Sequence, residues 1–88
     1  MAYNNKEVAE LLFKLARGKG NWGAKGDRLE HYKRFPNLKE IIKDYSKKGW
    51  ILIKGKPTFT LISLNSHHKR EIIEFIEEEL RDYKGYIK

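Results

Sequence analysis

Cysteine and glutamine are both absent from the 88 residues, proline occurs twice and methionine once. Without cysteine, neither a disulfide nor a zinc–thiolate site can staple the chain. Its length fits one domain, residues 1–88, near the lower end of what buries an adequate core unaided. Stability has to come from packing, helix caps or a partner subunit. Long apolar runs are missing too. The longest, Trp50 to Ile53, is far too short for a membrane span. The opening MAYNNKE has neither a basic n-region nor a cleavage pattern. These absences lead us to expect a soluble, cytoplasmic protein. The lack of glutamine beside abundant Lys and Glu leans toward a heat-adapted source.

What is present is charge. Nineteen basic and twelve acidic residues give a formal net charge of +7, which favours acidic partners. Residues 1–70 hold sixteen basic and six acidic side chains, a net of +10, while residues 71–88 hold three and six, a net of −3. The chain is a basic body with an acidic end.

Helix starts are legible as Asx-x-x-Glu at Asn4–Glu7, Asp27–Glu30 and Asn37–Glu40. In each, the Asx oxygen can accept from the third amide while Glu reaches back. Val8, Leu11, Leu12 and Leu15 then form one helical stripe, stopped at Arg17-Gly18. Leu29 and Tyr32 share a face of a second, short helix. It ends near Phe35, because Pro36 disfavours helical geometry in the residue before it. Leu38, Ile41, Ile42 and Tyr45 form the stripe of a third helix over about 38–48. Residues 50–54 and 58–65 read as strands of a hairpin joined at Gly55-Lys56-Pro57, with Phe59 and Leu61 on one face. A last helix runs over about 66–83 on the stripe Ile72, Ile73, Ile76, Leu80 and Tyr83.

The segment GKGNWG, residues 18–23, matches G-x-G-x-x-G, but it follows a helix and no βαβ unit surrounds it. No Gly-Lys-Ser/Thr ends it, which excludes a Walker loop.

The order of elements, with LKEIIKDYSKKGWILIKGKPTFTLISLN, resembles a winged helix-turn-helix domain. Lys47, Lys48, Gly49, Trp50, Ile51 and Ile53 match the step from helix into strand. Lys54, Gly55 and Lys56 match the wing tip, and Leu64 and Asn65 the close. The resemblance spans residues 5 to 83 and is specific over 37 to 65. It implies an α+β, mainly helical fold: three helices, a short β-hairpin wing over about 54–57 and an additional C-terminal helix. It further implies a short strand at Asn21 to Ala24 against the hairpin, anchored by Trp22, with Lys19 and Lys25 near a phosphate of DNA. It also implies double-stranded DNA as partner, a role in transcriptional regulation and association with the nucleoid. Some members of the superfamily bind only protein, and a protein-interaction module meeting its partner through Trp22, Trp50 or the acidic helix is the alternative. RNA is a third option, but the aromatic-rich sheet surface of single-strand readers is not visible.

On the third helix, Lys39, Lys43 and Lys47 fall on one stripe, with Glu40 and Asp44 on the next. Lysine is a point charge suited to phosphate. Ser46, Arg34 and Tyr45 are the candidates for base edges, and strong sequence specificity is not expected. Arg28, Lys33 and Arg34 would cross the DNA backbone, with Lys54 and Lys56 of the wing and Lys25 completing the surface. The bland alternative for each is a solvated charged face with pairing along the helix. The acidic last helix could join two copies through Ile73, Ile76, Leu80 and Tyr83, or pack wholly within one chain. His67 and His68 point about 100° apart on a helix and cannot chelate one ion together, so no metal is expected. Asp27 with His31 lacks a third ligand. No cofactor, no small-molecule substrate and no catalysis are expected, since no nucleophile context or carboxylate pair across a cleft is visible.

Overall fold

The computed structural model describes residues 3–18, 22–23 and 26–81. The element order is α1 (Asn5–Arg17), β1 (Asp27–Arg28), a 3-10 turn (Leu29–Tyr32), α2 (Leu38–Lys48), β2 (Ile51–Gly55), β3 (Thr60–Leu64), a second 3-10 turn (Ser66–His68) and α3 (Lys69–Glu79). The fold is α+β and mainly helical, with three helices beside a three-stranded antiparallel sheet in the order β1-β3-β2.

α1 begins as its sequence dictates. Asn4 is extended, and its side chain accepts from the Glu7 amide at 2.9 Å, satisfying one of the free donors of the first turn. The stripe Val8, Leu11, Leu12 and Leu15 is fully buried and meets Ile72 and Ile76 of α3 in one core cluster. Gly18 ends the helix with φ −76, so the stop needs none of glycine's conformational freedom.

α2 ends differently. Gly49 has φ 89, its amide donates to the Ser46 carbonyl at 3.1 Å, and the Trp50 amide donates to the Tyr45 carbonyl at 3.0 Å. This is a Schellman cap, with its usual apolar contact supplied by the Tyr45 and Trp50 rings, 5.7 Å apart. The Lys-Lys-Gly-Trp step thus closes the helix and starts β2. At the other end, Asn37 stands at φ 59 and makes no side-chain cap. Its amide nitrogen instead donates to Glu7 Oε2 at 3.0 Å and ties the starts of α1 and α2 together.

Several expectations are corrected. The second helix is a single 3-10 turn, because the residue expected to cap it, Asp27, lies in β1. The strand expected at 21–24 is Asp27–Arg28, paired with Ile62 and Leu61, while Trp22 and Gly23 form a turn; residues 21 and 24 lie outside the described residues. Trp22 does pack against the core. The hairpin strands are Ile51–Gly55 and Thr60–Leu64, and the core face of β3 carries Ile62 and Leu64, opposite Ile53 and Ile51. Phe59 and Leu61 alternate with these, as their spacing implies, and are half-buried. The last helix ends at Glu79 after its own 3-10 turn, in which Asn65 accepts from the His67 amide at 3.0 Å and donates to the Gly49 carbonyl at 2.8 Å.

Gly26 is where glycine is indispensable. Its φ is +93, and a Cβ there would lie 2.9 Å from the Ile62 carbonyl oxygen, blocking the approach of β1 to β3. Gly26→Ala is expected to cost about 3 kcal/mol in urea denaturation, combining strain with displacement of β1. At Gly49 the nearest atom would be 3.6 Å away, so Gly49→Ala carries only the left-handed strain, about 1 kcal/mol. Equal losses at the two glycines would contradict this packing.

Candidate nucleic-acid interface

Helical geometry divides α2 cleanly. Ile41 and Ile42 are buried and Leu38 and Tyr45 half-buried, while Lys39, Glu40, Lys43, Asp44, Lys47 and Lys48 are exposed. Lys39, Lys43 and Lys47 follow one another at about 6 Å along the axis. None has an ion pair among the described residues, where Arg28 pairs with Glu30 and Arg70 with Glu74. The pairing of Glu40 or Asp44 with the neighbouring lysines, the alternative to a binding face, is absent there. Asp44 accepts instead from the Tyr3 hydroxyl, a hydrogen bond that pushes the Tyr3 phenol up to about 12. Three like charges at i,i+4 intervals repel mildly, and an anion laid along them relieves that repulsion.

The polar neighbours of the stripe are engaged within the chain. The Ser46 hydroxyl donates to the Lys43 carbonyl at 2.9 Å. Lys48 sits 4.6 Å over the Trp50 ring and 5.8 Å over that of Tyr45. Burial, with Asp44 and Glu79 nearby, raises the Tyr45 phenol.

The remaining candidates are scattered. Arg28, expected on a helix, is on β1, pairs with Glu30 at 3.2 Å and lies 4.4 Å over Phe59. Lys33 and Arg34 are exposed after the first 3-10 turn. Arg34 lines an open groove of about 1040 Å³ floored by Phe13, Phe35 and Leu80, between α1 and the end of α3. Lys54 and Lys56 are exposed at the hairpin end. Lys25 lies outside the described residues. Ile76 of α3 and Leu80 just after it are buried in the chain's own core and Ile73 is half-buried; Tyr83 lies outside the described residues.

Sequence reasoning missed the role of Asp27. Its carboxylate accepts from the Tyr32 hydroxyl at 2.7 Å and the Arg28 amide at 2.9 Å, and lies 2.7 Å from His31 Nδ1. Burial alone would raise this carboxyl, but the hydrogen bonds from Tyr32, His31 and Arg28 outweigh it and hold it below the ordinary 3.8. Burial and the bond to Asp27 push the Tyr32 phenol up. The cluster fastens β1 to the turn before α2. Because the folded carboxyl is the stronger acid, its contribution is present above the ordinary value and lost as pH falls through the lowered one. Asp27→Asn is expected to cost about 1 kcal/mol at neutral pH, a figure discounted for partial exposure. In denaturation the gap to wild type should close in acid, and a pH-independent gap would contradict the account.

Among the described residues no three His, Asp or Glu side chains gather as a metal site; His68 Nδ1 lies 3.3 Å from Glu71. No helix among them is long and apolar enough to cross a membrane. The chain matches no protein-family model, no curated protein and no solved structure.

Proposed function

We propose that the protein binds double-stranded DNA through the lysine side of α2 and the end of the β2–β3 hairpin, as a small regulatory protein of the winged-helix kind. The observation that carries this reading is the set of lysines without an ion pair among the described residues: Lys39, Lys43 and Lys47, with Lys54 and Lys56 at the end of the strand against which α2 packs. A sheet order of β1-β3-β2 and a helix running straight into β2 are compatible with a winged-helix layout. Association of two copies through α3, the assembly suggested by the sequence, would have to use Ile73 and polar neighbours, since Ile76 and Leu80 are already buried. Light scattering reads that state directly.

Five phosphate contacts, from Lys39, Lys43, Lys47, Lys54 and Lys56, give a log–log salt slope of about −4.5 on duplex DNA. Fluorescence anisotropy of a labelled duplex over a salt series measures it. A slope near zero would remove the reading. The groove floored by Phe13, Phe35 and Leu80 favours the rival, a protein-interaction module.

A further inference from the structure

We infer that this interface grips duplex DNA by its phosphates and without preference for base sequence, so that its partner is duplex DNA as a class and not one operator. The inference rests on the DNA reading above and deepens it. Reading bases requires outward-facing groups matched to base edges: Arg, Asn and Gln forks, or Ser and Thr hydroxyls. The chain has no glutamine. The Ser46 hydroxyl is turned back onto the Lys43 carbonyl. The Asn37 amide nitrogen is held by Glu7. Arg28 is engaged by Glu30 and Phe59, and the Tyr45 ring is packed against Trp50. Arg34 lines the groove beside α1.

What α2 leaves facing outward is lysine and one unengaged carboxylate, Glu40. A lysine ammonium is a point charge on a flexible stem, with three rotatable donors that follow a phosphate row wherever it runs. Glu40 can only accept, from the amino groups of cytosine or adenine among the major-groove base edges. Together with Asp44, it flanks the lysines with negative charge that deep insertion would bring against phosphates. The helix therefore lies with its lysine edge along the backbone, and Glu40 weakens binding to every sequence alike.

The test is competitive anisotropy with duplexes of equal length and unrelated sequence, at one salt concentration, using wild type and Glu40→Ala of unchanged circular dichroism. Affinities should agree within about threefold, against the thousandfold or more of sequence-specific readers. The variant should tighten all duplexes by the same factor, about two- to fivefold. A duplex preferred a hundredfold overturns the inference and leaves DNA binding standing, as does a variant that reorders the preferences. Failure to bind any duplex at low salt overturns both.

Discussion

Reversing two charges, Lys39→Glu with Lys43→Glu, is expected to weaken duplex binding by on the order of a hundredfold at moderate salt. Both side chains are exposed and without an ion pair among the described residues, so the fold gives up no contact when they change. Glutamate is as good a helix former as lysine, and the Schellman cap of α2 lies beyond both positions. The loss has two parts: two phosphate contacts vanish and two carboxylates join Glu40 and Asp44 on the same side. The salt slope should become shallower by about two as those contacts disappear. Retained affinity in a variant with wild-type circular dichroism and melting behaviour would place the binding surface elsewhere, with the groove beside Arg34 the first alternative.

Trp50→Ala is expected to cost about 3–5 kcal/mol, the largest stability effect we anticipate. Trp50 is 6% exposed and lies where α2, β2 and α3 meet. Its ring centroid is 5.7 Å from that of Phe75 in an edge-on contact and 5.7 Å from that of Tyr45, with the Lys48 ammonium 4.6 Å above. Truncation removes all of these while the backbone bonds through Tyr45 and Asn65 remain, leaving a cavity under the Schellman cap. A domain of this length is stabilised by roughly 5–13 kcal/mol, so the variant should be only marginally folded. Trp50→Phe keeps the ring and should lose only about 1–2 kcal/mol. Urea denaturation followed by circular dichroism separates the two. A loss below about 1 kcal/mol for the alanine variant would show that α2 is held by other means.

The three α-helices are legible because their signal is local. Stripes at i, i+3, i+4 and i+7 locate α1 and α2 closely, and the glycine of Lys-Lys-Gly-Trp marks the end of α2. What escaped the sequence depends on partners far along the chain. Asp27 has the residue type of a helix cap, yet Tyr32 and His31 claim its carboxylate and Ile62 its backbone register, leaving a 3-10 turn where a helix was expected. Asn37 looks like a cap until Glu7, thirty residues earlier, takes its amide. Gly26 carries no sign in the sequence of a distant partner, yet the position of β1 depends on its letting the chain approach Ile62. The lysine stripe of α2 was visible in the sequence. That it would stand unpaired was not, because Asp44 is engaged by Tyr3 from forty-one positions away.

Titrating a short duplex into isotope-labelled protein, and following backbone amide shifts by NMR, tests the central claim most directly. The account predicts perturbations concentrated on the exposed side of α2, from Lys39 to Lys47, and at the hairpin end around Lys54 to Lys56. The groove lined by Phe13, Phe35 and Leu80 should remain unaffected. Perturbations confined to that groove, or none at all at low salt, would contradict it.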